Sequence, residues 1–117
     1  MNDMESILLS IKKMLGPAGT YDAFDPDIIM HINSAFMVLH QLGVGPSEGF
    51  FIEDDSSIWS DYLADPMKLH GVKTYMYAKV KLVFDPPSSS AHMQALKDTV
   101  NEFEWRLNVA VDPTESQ

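Results

Sequence analysis

Four histidines, His31, His40, His70 and His92, and seventeen acidic residues are the groups best able to do chemistry in this 117-residue chain, which has no cysteine. The lack of cysteine removes disulfides, thiolate metal ligands and thiol nucleophiles together. No two histidines stand four residues apart and no His-Glu-x-x-His occurs, so the helical zinc pattern is missing. His31 lies four residues after Asp27, which reads as a surface pair at a helix start. Ser88-Ser89-Ser90 precedes His92, but a nucleophilic serine also needs an orienting acid, and no Gly-x-Ser-x-Gly is present. A serine linker that caps a helix is the better reading. Gly43, Gly45 and Gly49 flank Pro46 without the lysine of a phosphate-binding loop. Glu53-Asp54-Asp55 lacks the alternating ligand spacing of a calcium loop, and reads as a solvated loop or a contact for a basic partner. The aromatics Tyr75, Tyr77, Phe84 and Trp105 are interleaved with only Lys73, Lys79 and Lys81, too few cations for a base-stacking surface. No catalytic residue, no cofactor site and no metal site is expected.

The elements that must carry these groups are helical. Ile7, Leu8, Ile11, Met14 and Leu15 recur at helical spacing and predict a first helix over 3–15, stopped by Gly16-Pro17. Residues 16–24 read as a loop. Asp25-Pro26-Asp27 predicts the start of a second helix, 25–42, with Asp25 as the N-cap carboxylate, and Ile28, Ile29, Ile32, Ala35, Phe36, Leu39 and Leu42 form its stripe. Residues 43–57 are irregular, with Phe50-Phe51-Ile52 as a candidate extended piece and Ser57 as a candidate cap for a short turn around Trp59 and Tyr62. Asp65-Pro66 starts a third helix, 66–84, apolar around most of its circumference and therefore central. Gly71 within it permits a close helix crossing or a kink, and Asp85-Pro86-Pro87 ends it. Met93, Leu96, Val100, Phe103 and Leu107 form the seam of a fourth helix over 90–107. The fold class is all-α: a small bundle of four main helices, one domain over 1–107, with a flexible tail over 108–117.

Composition narrows the function. A hydrophobic fraction of 45% suits one globular core. Seventeen acids against eight bases give a formal charge of −9, the wrong sign for gripping DNA by its phosphates but suited to letting DNA slide past. The N-terminus has its acids before its apolar run and its lysines after it, unlike a secretory signal, and no run is long enough to span a bilayer. A soluble protein, made in the cytoplasm and without membrane contact, is expected. The apolar stripes exceed what four short helices hide from one another, and eight methionines suit adaptable contacts. Association is the function left standing.

The stretches FDPDIIMHINSAFMVLHQLGVGP (24–46), VKTYMYAKVKLVFDPP (72–87) and NEFEWRLNV (101–109) carry a resemblance that covers most of the chain. In these, and in the order of acid-Pro start, long central helix, DPP-Ser linker, last helix and tail, the sequence is similar to head–tail connector, or adaptor, proteins of long-tailed phages and prophages, especially of Gram-positive hosts. The resemblance implies a structural protein of the virion neck and no enzyme. It implies a ring of about a dozen subunits that sits beneath the portal, extends the DNA channel, and presents a platform to the next neck or head-completion protein. It also implies a tail that reaches the portal, by position from Asn108 onward. Lys68, Lys73, Lys79 and Lys81 are candidates to meet acids of a neighbouring subunit. A second reading is a small acidic phage protein that binds and regulates a host protein.

Candidate interface residues follow. Trp105 lies about 200° around the helix from Phe103, so it faces away from the seam, unless the bundle wraps both faces and Trp105 is core. Trp105, Arg106, Val109 and Val111 are the candidate docking face, and Glu53, Asp54 and Asp55 a candidate acidic contact.

Overall fold

The N-terminal segment is tied down before its first helix begins. In the computed structural model, which describes residues 4–111 and side chains through Val109, Ser6 pairs with Ile58 in an isolated antiparallel bridge. Ile7 N–H donates to the Ser57 carbonyl at 2.9 Å, and Trp59 N–H donates to the Glu5 carbonyl at 3.3 Å. Ser6 then caps α1 (Ile7–Leu15), its hydroxyl accepting from Leu9 N–H. The helix therefore starts four residues later than the expected boundary, because residues 5–7 spend backbone groups on residues 57–59.

Two short 3-10 turns, Gly16–Gly19 and Asp22–Phe24, lead into α2 (Asp25–Gln41). Here one expectation is corrected. Asp25 is inside the helix, Phe24 occupies the cap position, and no side chain caps that end. The Asp25 carboxylate instead meets Lys12 of α1, with Nζ 2.7 Å from Oδ1, while the same ammonium donates to Asp22 Oδ1 at 2.8 Å. Only 11% of the Lys12 side chain remains exposed, and a charge that deep needs these partners more than the helix needs a cap. The Asp22 bond, reinforced by Asp25, holds the ammonium pKa above its ordinary value, and Lys12 holds the Asp22 carboxyl below its own.

The irregular segment that follows contains no strand, and it is ordered by a side chain. Asn33 of α2 accepts from Ile52 N–H at 2.8 Å and donates to the Ile52 carbonyl at 2.9 Å. A one-turn helix, α3 (Trp59–Tyr62), comes next; Asp61, not Ser57, supplies its polar contact by accepting from Ile58 N–H. Trp59 is fully buried, and its indole N–H donates to Ser10 Oγ at 2.9 Å, which in turn donates to the Ile7 carbonyl.

The helix α4 (Pro66–Phe84) has the predicted bounds. Asp65 does cap it, accepting from Met67 and Lys68 N–H, and the prolines after Asp85 end it. As its wide stripe implied, α4 packs on α1, α2 and α5, with Leu69, Val72, Tyr75, Met76, Ala78 and Val80 buried. Ser89 caps α5 (Ser90–Val111), accepting from His92 N–H. Leu96, Val100 and Leu107 are buried, and Met93 and Phe103 half-buried, so the seam is as predicted. The helix runs on past Leu107 to Val111, so the first residues of the expected tail are helical. Nothing between Leu107 and Pro113 breaks a helix, and Asn108 Nδ2 donates to the Leu42 carbonyl at the end of α2. Residues 112–117 of the expected tail lie outside the described residues. Over Gly71, the Leu107 and Phe103 side chains come within 3.6–3.7 Å of where a Cβ would sit, so α4 and α5 do cross closely there, with room for a methyl group.

Candidate assembly surfaces

The seam of α5 faces inward, which forces its other side into solvent. Trp105 is 67% exposed and Val109 is 47% exposed. Four residues apart, they share one stripe of the helix. Trp105 is therefore not core. Arg106 lies beside them and is held by Glu102, with Nη2 2.7 Å and Nε 2.8 Å from the same carboxylate oxygen. It also borders a groove of about 410 Å³ between the start of α4 and the end of α5, lined by Met67, Lys68, Gly71, Phe103 and Leu107. The Val111 side chain lies outside the described residues.

The inner edge of α5 is latched by a polar contact. The buried Tyr75 hydroxyl donates to Glu104 Oε2 at 2.8 Å, and Lys79 Nζ reaches the same oxygen at 3.3 Å. Burial first, and Glu104 second, push the Tyr75 pKa far above its ordinary value, so the hydroxyl stays a donor. Lys81 pairs with Asp85 at 2.7 Å. Lys79 and Lys81 thus each meet an acid of their own chain. Lys73 lies over the Trp59 ring at 5.5 Å. The four aromatics singled out in the sequence separate into different environments. Tyr75 is buried, Tyr77 is half-buried, Phe84 packs edge-on against Phe24, and Trp105 points outward.

Glu53, Asp54 and Asp55 are exposed on the loop after Ile52. Asp54 builds the turn, its Oδ1 accepting from both the N–H (2.9 Å) and the hydroxyl (2.6 Å) of Ser56. The hydroxyl bond foremost keeps the Asp54 carboxyl below the usual range. Among the described residues no three acidic or histidine side chains converge to hold a metal, and no helix is long and apolar enough to cross a membrane.

Sequence reasoning missed a second apolar surface. Met37 on α2 and Phe51 on the loop are both exposed, and they border a groove of about 270 Å³ with Asn33, His40 and Phe50. The signal was present in Phe50-Phe51-Ile52, where an extended reading already demands that the middle residue face opposite to its neighbours. It also missed the row in which Tyr21, Phe24, Phe84 and His31 stack edge to face, for which only the helix bounds gave a hint.

No curated protein and no solved structure matches the chain. The family model described as "Phage connector protein" matches residues 7–114, from the first residue of α1 to beyond the last of α5, and the chain belongs to that phage connector family.

Proposed function

We propose that the protein is a head–tail connector subunit of a tailed phage, structural and not enzymatic. It assembles from the host cytoplasm into the virion neck as a ring of about a dozen copies, beneath the portal, and extends the DNA channel toward the next neck protein. The observation that carries this reading is Trp105: a tryptophan two-thirds exposed on a helix whose inner face is already filled. Such a side chain offers a large, stiff contact area at small entropic cost, and tryptophans concentrate binding energy at interfaces. Val109 extends the stripe, and Arg106 supplies donors at its edge. In this role the segment from Asn108 onward, Val111 included, contributes contacts to the portal. The formal charge of −9 per copy suits a channel wall, since like charge keeps DNA from adhering in transit.

Electron microscopy of the purified protein, alone and mixed with portal, tests the reading. Rings or portal-bound caps are expected. They should be lost with Trp105→Ala, or with deletion from Asp112, while the thermal melt of each variant stays near that of the parent. A protein that stays monomeric and ignores the portal, or a Trp105→Ala variant that assembles normally, overturns it.

A further inference from the structure

The loop over 43–57 is built to hold one aromatic ring in water. Gly45 packs under the Tyr62 ring, where a Cβ would come within 2.5 Å of it, at a φ of +90° that also favours glycine. Phe50 stacks on Phe36 and Tyr62 at 5.1 and 5.3 Å. Ile52 is buried with both backbone groups bonded to Asn33. With residues 50 and 52 fixed inward, the residue between them must face outward, and Phe51 is 66% exposed. The loop's ordering is repaid by Ile52 and Phe50, whereas the Phe51 ring itself gains the free chain little burial.

What surrounds Phe51 is asymmetric. On one side the ring borders the apolar groove with Met37, Phe50 and His40. On the other it borders a second depression, of about 300 Å³, lined by Glu53, Asp54, Ser56 and Ser57. An apolar slot thus runs, across one shared ring, into an acidic one, with Glu48 lining the apolar slot and Asp55 exposed in the acidic loop. The protein's own cations are a poor complement. Lys12, Lys79, Lys81 and Arg106, half of the eight basic residues, are committed to acids of the same chain, and a second copy brings a further −9.

We propose that the Met37–Phe51 groove and the adjoining Glu53–Asp55 loop form one docking site for a basic peptide segment of a partner protein, with an apolar side chain seated against Phe51 and lysine or arginine beside the acids. The site rests on the reading of this chain as an assembly protein, but not on the role of α5. It gives the connector a second, electrostatically selective contact.

The probes are short fluorescent peptides: one alternating leucine with lysine, one leucine with glutamate, and one serine with lysine. Anisotropy should show binding of the leucine–lysine peptide alone, weakened as salt screens the acids. Binding should fall about ten-fold or more for Met37→Ser/Phe51→Ser and for Glu53→Gln/Asp55→Asn. All four positions are exposed, so the variants should fold. Amide chemical-shift changes on binding should cluster in residues 33–57. Equal binding of all three peptides, less than a two-fold effect of both double variants, or shift changes centred on α5 overturns the site. So does a Met37→Ser/Phe51→Ser variant that loses self-association while still binding the peptide, since a second copy would then be the occupant. Ring formation followed in parallel separates this outcome from failure of the connector reading, because Trp105→Ala, and not the groove variants, should abolish rings.

Discussion

The two tryptophans of this chain share a residue type and almost nothing else. Trp59 sits on a helix of one turn and is fully buried, its N–H bonded to Ser10, its ring under Lys73, and its backbone tied to Glu5. Trp105 sits on a helix of 22 residues and is two-thirds in water. Helix length therefore does not tell which aromatic holds the fold together. The short α3 cannot support itself, so its tryptophan must be gripped from all sides; the long α5 stands on its seam and leaves its outer residues for other work.

The sharpest test of this contrast removes each indole in turn. Trp59→Ala should cost about 3–5 kcal/mol by opening a cavity and removing the donor to the buried Ser10 hydroxyl oxygen, read as the shift in denaturation midpoint. Trp105→Ala should cost less than about 0.5 kcal/mol. Equal costs would erase the distinction. Acrylamide quenching sharpens it in the intact fold: the emission of a Trp59→Phe variant, which reports Trp105, should be quenched strongly, and that of Trp105→Phe weakly.

A second test concerns the charge buried near the N-terminal core. Lys12→Met should cost about 1–3 kcal/mol by leaving the half-buried Asp25 without its cation, measured by urea denaturation. The pH dependence has a definite direction. Asp22 is lowered in the fold, so its contribution is complete above the ordinary carboxyl value of 3.8 and is lost as pH falls through the lower folded value. Lys12 is raised, so its contribution is complete below 10.5 and is lost as pH rises through the higher folded value. The parent should therefore lose stability at both extremes relative to Lys12→Met, with no difference in slope between them near neutrality.

The smallest effect belongs to α4 where α5 crosses it. A methyl on Gly71 would meet Leu107 and Phe103 at ordinary contact distance. Gly71→Ala should then stabilise the protein by up to about 1 kcal/mol through helix propensity. A lower melting temperature would mean that the crossing cannot accept even that methyl.

These contrasts also explain what could be read without coordinates. The α4 bounds and the α5 seam were legible because proline punctuation and apolar spacing are local properties; helix geometry set Trp105 opposite that seam, but only the packing decides that nothing among the described residues covers it. Asp25 was misread because an N-cap and a salt bridge use the same residue type, and only the fold brings Lys12 across from α1. The pairing of Lys79 with Glu104 was hidden for the same reason, since helix packing alone brings α5 to α4. The Phe51 groove depends on Asn33, nineteen residues away, and no local pattern announces so distant a side-chain bond.

That bond has a chemical consequence of its own. Asn33 serves Ile52 as a miniature sheet edge, with one amide group supplying both donor and acceptor. Hydrolysis of the amide to a carboxylate would set an oxygen against the Ile52 carbonyl and turn attraction into repulsion. Asparagine followed by serine, as here, is a common place for such ageing in flexible chains, because the next backbone nitrogen can attack the side chain. Within α2 that nitrogen is locked in the helix and cannot swing into line. The helix that presents the amide to the loop thus also preserves it, and partial fraying of α2 would set the shelf life of the Phe51 surface.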